Sequence, residues 1–584
     1  LTGVTGELNL DHPDPVLLDW RTSDNSRSSK VALPHPAIAA HLTILADVSL
    51  HNRHELIEQL GAATKDLDDA GLLLAAYAKW GEDCPRFLLG EFAFAIWDFK
   101  LQRLFCCRDQ IGFCNFFYVY EKTRFVFASD IALLLACPHV PRKLNLKKFG
   151  ALAVPGGQHQ IHRETFHAGV LSLPSGTSMC VDREGVRQHR YWELNARDGH
   201  PYQTKPEALE ALRDVLFRAV ECRVGTGTRV AALLSGGLDS SAVASVAAKC
   251  LEKQNRTLTA ISAVLADGQQ TLGDERSYIE EFRSWPNIDI RYVTAPGRGP
   301  FDFLHDADRF ARSPLRISTL YLYEELGKAA LDAGGQTLLG GEGGELGATA
   351  WSQRYYLELA LKGRWPTLAR ELRSARNTRN ISPLRMMGAQ ILSALLPARG
   401  RTPLVLLAPR FQRDNCTRPP FRLPFISERQ YQADMIRQWL RKHAAPRRQS
   451  ATGLIGRSFP LLDKRVLEFC LTLSPSLNIE GGYHRCFIRK ALEGILPKRI
   501  QWRSGKMPFS PDYFVRYNSQ LHVAKDFVES IGPTDPVRSI LDIEALKRLC
   551  VPVDPRVGSV AARDQVPGTI YAINFLRQFS EFRP

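Results

Sequence analysis

The sequence predicts a two-domain α/β protein, and three observations carry that expectation. The chain has 584 residues, too many for one hydrophobic core, because single cores stop growing beyond ~250–300 residues. Its first 195 residues read as short aromatic strands separated by turn residues, the pattern of antiparallel hairpins. From residue 205 onward strands alternate with helices, the pattern of a parallel sheet with right-handed crossovers. The composition, 44% hydrophobic and 23% charged, is that of ordinary globular domains and excludes collagen, coiled-coil and disordered classes.

In the first part, Leu42 to Ala46 reads as a short strand and Asp68 to Trp80 as a helix with one apolar face. Phe92 to Trp97, Arg103 to Arg108, Phe116 to Tyr120 and Arg124 to Ala128 are strand-like runs. A polar stretch with Gly and Pro, Asn195 to Pro206, reads as a linker. Beyond it, Pro206 to Arg223 is helical, Arg229 to Leu234 is a buried strand, and Ser240 to Lys253 is a helix. Further strands are expected at Leu258 to Val264, Ile290 to Thr294 and Gln336 to Leu339. The domains are therefore expected at 1–195 and 205–584.

The net charge is +15, and residues 351–450, with 20 Lys+Arg against 5 Asp+Glu, account for all of it. This segment reads as helix broken at Pro366, Pro383, Pro397 and Pro419-Pro420, ending in a helix capped by Ser427. A local excess of this kind points to an acidic partner, with Arg437 and Arg441 on the surface that meets it. No apolar run reaches the roughly 18 residues of a membrane span. Leu1 to Asp14 carries no basic region followed by an apolar stretch, so no signal peptide is expected. The 12 cysteines are scattered without C-x-x-C or zinc spacing, and a reduced, cytoplasmic location is expected.

Chemistry concentrates at Ser235-Gly236-Gly237-Leu238-Asp239-Ser240-Ser241. Glycines let backbone approach an anion, the following helix offers unpaired N–H groups, and serine hydroxyls add donors. Asp239 would repel bare phosphate, which suggests a bridging metal ion. No lysine follows the glycines, so this is not the G-x-x-x-x-G-K-[ST] loop.

This string resembles the pyrophosphate (PP) loop of the ATP pyrophosphatases, and the whole chain resembles the asparagine synthetase superfamily. Gly90 to Asp98 with Arg108-Asp109 is similar to the amidotransferase-type N-terminal domain. Gly341 to Leu346 (GEGGEL) is similar to the second acidic loop, and Arg457 to Asp463 (RSFPLLD) and Leu496 to Phe509 (LPKRIQWRSGKMPF) to the C-terminal motifs. The resemblance implies an N-terminal αββα sandwich of the Ntn-hydrolase type with a degenerate site. It implies a C-terminal PP-loop ATP pyrophosphatase domain with helical insertions.

The departures matter. Thr2 falls where glutamine-dependent members carry their nucleophilic cysteine, and Asp47-Val48-Ser49 falls on their glutamine-binding N-G-E string. The N-terminal domain is therefore expected to be an inactive platform, with Arg108-Asp109 as a buried ion pair. Members without glutaminase include β-lactam and carbapenam synthetases and lasso peptide cyclases. Ala46 to Leu56 (ADVSLHNRHEL) is most like the cyclase form.

The resemblance implies adenylation of a substrate carboxylate by ATP, then attack by an amine. Leu233, Ser235, Gly236, Gly237, Asp239, Ser240, Ser241, Val264 and Gly341 would bind nucleotide. Asp239 and Glu345 would hold Mg²⁺, with Glu345 standing where the family has Asp. Lys506 would neutralise developing charge, Glu342 would handle the amine, and Arg457 would bind substrate or phosphate or form a structural ion pair. The expected activity is a lasso peptide cyclase, joining a peptide's N-terminal amine to an Asp or Glu side chain. Its partners would be a precursor peptide, a leader peptidase and a leader-recognition protein, without nucleic acid or a membrane span. The alternatives are a small-molecule amide or β-lactam synthetase, an ammonia-dependent asparagine synthetase and, more remotely, an RNA-modifying enzyme or a scaffold.

Overall fold

The computed structural model describes residues 4–9, 21–22, 29–32, 40–194, 202–379, 382–392, 403–416, 427–442 and 455–583, short stretches inside these ranges excepted, Lys506 among them. The aromatic runs of the N-terminal part pair into two antiparallel sheets. One has the order Arg21–Thr22, Val4–Asn9, Arg124–Ala128, Phe117–Glu121, Leu171–Ser172. The other has the order Gly185–Arg190, Thr177–Asp182, Arg103–Arg108, Gly90–Asp98, Leu42–Leu50, Ser29–Ala32.

Side-chain alternation builds the layers. In Leu42–Leu50, Leu45 faces the other sheet and joins Leu8, Trp97, Phe125 and Phe127. Ile44, Ala46 and Val48 face away and pack with Leu72, Leu73 and Ala76 of helix Asp69–Trp80. That helix starts where Asp68 accepts the Gly71 N–H at 2.8 Å, an N-cap. Helix Ile131–Leu135 covers Phe117, Val119 and Val126 on the outer face of the first sheet. The result is a helix–sheet–sheet–helix sandwich. Strand Leu42–Leu50 outruns the expected Leu42 to Ala46, because Asp47, Val48 and Ser49 continue the pairing opposite Ala93, Phe92 and Glu91.

The expected Arg108–Asp109 ion pair is corrected. Both residues are buried, but consecutive side chains leave a strand in opposite directions. Asp109 accepts the N–H groups of Ile111, Gly112, Phe113 and Cys114. Arg108 donates to the carbonyls of Cys114, Leu173 and Gly112. Burial still lifts the Asp109 carboxyl to about 6, against the Cys114, Phe113 and Gly112 N–H groups and the nearby Arg108 guanidinium. Both residues clamp the Gly112–Cys114 turn, Asp109 through its N–H groups and Arg108 through its carbonyls, and Arg108 also reaches Leu173.

The second part is a parallel sheet of order Ile288–Val293, Leu258–Ala263, Val230–Leu233, Thr337–Leu339, Gly456–Ser458. Helices Lys205–Val224 and Leu238–Glu252 pack on one face. Helices Leu320–Asp332 and Val566–Leu576 pack on the other. Burial on both faces explains the unbroken apolar run of Val230–Leu233. The chain steps outward from this central strand twice, then returns to its other side at Thr337–Leu339. The strand order therefore reverses between Val230–Leu233 and Thr337–Leu339, the crevice where open α/β sheets bind ligands.

The basic segment supplies helices Tyr355–Leu361, Trp365–Arg379, Pro409–Asn415 and Glu428–Lys442. Pro366 does not break a helix. It sits in the first turn of Trp365–Arg379, where its missing N–H costs nothing. Pro383, Pro397, Pro419 and Pro420 lie outside the described residues. Arg437 is also corrected: its guanidinium donates to the Leu194 carbonyl at 3.3 Å and ties its helix to the end of the N-terminal part. No described helix is long and apolar enough to cross a membrane.

One buried chain of polar contacts joins the two parts. Arg223, at the end of Lys205–Val224, pairs with Asp463 at 2.7 Å, with side chains only 2% and 1% exposed. Its Nε donates to the Ser458 hydroxyl at 3.0 Å, and that hydroxyl donates to Glu91 of the sandwich at 2.8 Å. Burial alone would raise the Asp463 carboxyl, but the Arg223 and Arg465 guanidiniums outweigh it and hold the group below the usual carboxylate range. The folded state thus favours the ionised acid. Its contribution is present above the unfolded value of about 3.9 and is lost as pH falls toward the depressed folded value.

Asp463→Asn, which leaves Arg223 buried without its counter-charge, is expected to cost ~3–5 kcal/mol at pH 7. Thermal unfolding would show it as a Tm several degrees lower. The gap to wild type should shrink below about pH 4; a gap constant from pH 7 to pH 3 would contradict the pair.

Candidate active site

The Ser235–Ser241 loop sits at the crevice where the strand order reverses. It leaves the central strand and enters helix Leu238–Glu252. The loop is internally tied. The Ser235 N–H donates to the Ser240 hydroxyl at 3.1 Å, the two hydroxyls meet at 2.8 Å, and the Ser240 hydroxyl reaches the Gly237 carbonyl at 3.3 Å. Gly236 has φ +65°, and a Cβ there would stand 2.8 Å from the Tyr278 Cβ. Gly341, just after strand Thr337–Leu339, touches the same loop, and its Cβ would stand 2.5 Å from the Ser240 backbone N. The Ser241 hydroxyl is fully buried, with no partner among the described residues. Leu233 and Val264 end or follow neighbouring strands and are buried at the same sheet edge.

Asp239 accepts a hydrogen bond from the Thr349 hydroxyl and lies 3.7 Å from the Arg485 guanidinium. A Cβ on Gly344 would stand 2.7 Å from the Asp239 carboxylate. Glu345, the next residue, is exposed. The glycine cradle fits a polyphosphate, and the Asp239 and Glu345 oxygens are the hard donors that suit Mg²⁺.

Glu342 and Arg457 form an ion pair that brings the second acidic loop to strand Gly456–Ser458. The other Glu342 oxygen, Oε2, is buried and has no partner among the described residues. The Arg457 guanidinium lies 4.7 Å from the Tyr323 ring centre and 5.1 Å from that of Phe459. Tyr323 in turn stacks on Phe509 at 4.7 Å. Burial, with Glu342 beside it, pushes the Tyr323 phenol up to about 12, so it stays a neutral hydroxyl. A carboxylate held by a guanidinium through one oxygen, with its other oxygen buried against Gly340, becomes a base for an amine only once that second oxygen is uncovered.

Lys506 lies outside the described residues. Of its neighbours, Gly505 lines the crevice with Gly237, and the Met507 N–H donates to Glu275 at 3.1 Å. Sequence reasoning missed the cationic wall of this crevice. Arg503 pairs with Glu275 at 2.6 Å, donates to the Gly236 carbonyl at 3.0 Å and stacks on Tyr278 at 3.9 Å. Arg485, at φ +61°, lies 4.0 Å from the Trp351 ring centre. A side chain in that sparsely populated conformation persists only where its surroundings hold it. Arg503 lay inside the quoted RSGKMPF stretch, whereas nothing local singled out Arg485 or Trp351.

Gly341→Ala is expected to displace the loop by pushing on Ser240. Its ATP affinity, read by calorimetry, should fall at least tenfold, about 1.4 kcal/mol, with an unchanged circular dichroism spectrum.

Comparison with known proteins agrees with this geometry. Residues 29–192 match a glutamine amidotransferase domain family, and residues 211–553 match the asparagine synthase family. A relative from Methanocaldococcus jannaschii, named for the glutamine-hydrolysing asparagine synthetases, is 32% identical over 212 residues, 35% of this chain and 40% of that protein. Asparagine synthetase 3 of Bacillus subtilis is 31% identical over 218 residues, 37% of this chain and 35% of its own. Amidase chry2 of Gibberella zeae is 29% identical over 188 residues, 32% of this chain and 27% of its own. The match thus spans less than half the length of each relative. The asparagine synthase match, however, covers more than half of the 584 residues, and the chain belongs to that family.

Proposed function

We propose that the protein is an ATP-dependent amide ligase that joins the N-terminal amine of a peptide to one of its own Asp or Glu side chains, as lasso peptide cyclases do. The observation that carries this reading is an assembled phosphate loop beside a replaced glutamine string. Ser235–Ser241 is tied by its own serines, and Glu342 follows Gly341, which touches Ser240 of that loop. Asp47-Val48-Ser49 is instead strand backbone paired with Glu91 to Ala93. An amine from the substrate itself replaces ammonia released from glutamine, and the N-terminal domain serves as a platform. Thr2, the residue in the nucleophile's place, lies outside the described residues.

In this reading ATP supplies an AMP leaving group for the carboxylate, and pyrophosphate leaves from the loop. Ser235, Gly237, Ser240 and Ser241 hold the phosphates, Asp239 and Glu345 hold Mg²⁺, and Gly341 keeps the loop closed against the sheet. Lys506 neutralises charge at the α-phosphate and then on the tetrahedral oxyanion. Glu342 frees the α-amine, whose pKa of about 7.7–8 needs only a modest base, and Arg457 orients Glu342. The names of the relatives, glutamine-hydrolysing asparagine synthetases, favour a second reading, an asparagine synthetase, and the replaced glutamine string at Asp47-Val48-Ser49 would leave it dependent on free ammonia.

ATP–pyrophosphate exchange separates the two. Exchange is expected with a leaderless peptide carrying Asp or Glu several residues from its amine, and the product should weigh one water less than the peptide. Exchange only with aspartate, and asparagine formed from ammonium, would establish the second reading instead. Lys506→Ala is expected to lose at least 10²-fold in amide formation; unchanged turnover would remove Lys506 from the mechanism.

A further inference from the structure

The excess charge of residues 351–450 has a describable centre. Helix Trp365–Arg379 buries Leu368 and Ala375 and packs Leu372 beside Tyr356, Leu359 and Ile479. At 100° per residue the opposite side carries Arg370, Arg373 and Arg376, three residues apart and therefore neighbours on one face. All three are exposed. Trp365, 61% exposed, opens the helix in line with Leu372 and Arg376, and Leu361, in the preceding helix, is 58% exposed.

Among the described residues only Glu371 acts on this face at close range, through Arg370. Glu371, the sole acid of the helix, is turned inward to the Gly482 N–H. The adjacent Glu480 is held by Lys205 and Lys490, and Glu358 by Lys362. No ion pair to a described carboxylate forms at Arg370, Arg373 or Arg376. Arg and Trp are also the side chains most enriched among the energetic centres of interfaces.

The helix is joined to the nucleotide crevice. A Cβ on Gly482 would stand 2.5 Å from the Ser374 carbonyl, so helix and hairpin Ile479–His484 meet backbone to backbone. The Thr378 hydroxyl donates to the Gly481 carbonyl at 2.9 Å. Tyr483, His484 and Arg485, which follow at once, line the crevice beside Gly237.

We infer that this face is the docking surface for an acidic, extended segment of the peptide substrate, carrying an apolar residue that covers Trp365. The inference rests on the peptide-ligase reading. Arg370 to Arg376 covers about 9 Å of helix. That span suits carboxylates at alternate positions of an extended peptide, which lie about 7 Å apart. The neighbouring Lys205, Lys362 and Lys490 are already paired, so they do not extend the arginines into the track that a nucleic acid backbone would follow.

The test uses the full chain and a fluorescein-labelled ten-residue peptide of alternating Glu and Leu, read by anisotropy. Arg370→Glu/Arg373→Glu/Arg376→Glu is expected to weaken binding at least tenfold, and Trp365→Ala several-fold. Lys65→Glu/Lys100→Glu/Lys147→Glu changes the net charge equally on the sandwich and should leave binding within twofold. Equal loss in both triple variants, no loss in the first, or tighter binding of a labelled twelve-nucleotide RNA would overturn the proposal. Peptide binding without any ATP–pyrophosphate exchange would leave the surface standing and remove the ligase reading; exchange with unchanged peptide binding would do the reverse.

Discussion

Arg223 is the joint on which the two domains turn. It is buried, and a buried guanidinium is tolerable only when its donors are met by charge and by hydrogen bonds. Asp463 supplies the charge, Ser458 an acceptor, and Ser458 passes the contact to Glu91 in the sandwich. Four residues from three separated stretches are thereby locked into one geometry. Ser458 belongs to the edge strand that presents Arg457, and Asp463 caps helix Lys464–Thr472 by accepting the Arg465 N–H. The position of Arg457, and through it of Glu342, is set by the same network that holds the domains together.

The phosphate loop owes its shape to a different constraint. A parallel sheet whose strand order reverses opens a crevice at the carboxyl ends of its strands. Two glycine-bearing loops enter that crevice from adjacent strands, and they touch only because Gly341 lacks a side chain that would strike Ser240. Serine hydroxyls bonded to one another tie the loop to itself. Arg503, fixed by Glu275 and Tyr278, adds positive charge at the glycines. Arg485 stands by Asp239 as the cation beside the carboxylate.

The charge distribution adds a third element. Outside residues 351–450 the chain is neutral, so the field of the molecule is concentrated rather than spread. Much of the segment's described charge has structural work: Arg437 reaches Leu194 and Arg429 reaches the carbonyls of Thr472 and Leu473. Helix Trp365–Arg379 is different, because its inward face is complete and its arginines are left over.

The sequence by itself determined the two-domain division, the nature of most strands and the glycine-serine loop between the central strand and its helix. These depend on short-range periodicity and on residues contiguous in the chain, as in Val230–Leu233 followed by Ser235 to Ser241. Tertiary structure decided what depends on residues far apart. It set Arg108 and Asp109 on the N–H and carbonyl groups of one turn rather than on each other, and made a strand of Gly456–Ser458, too short for its pattern to be read. It paired Glu342 with Arg457 across more than a hundred residues and drew Arg485 and Trp351 to the crevice. No local pattern encodes such contacts. They follow from burial, which leaves a charged or polar group no solvent to turn to and forces it to find its partner wherever the fold has brought one.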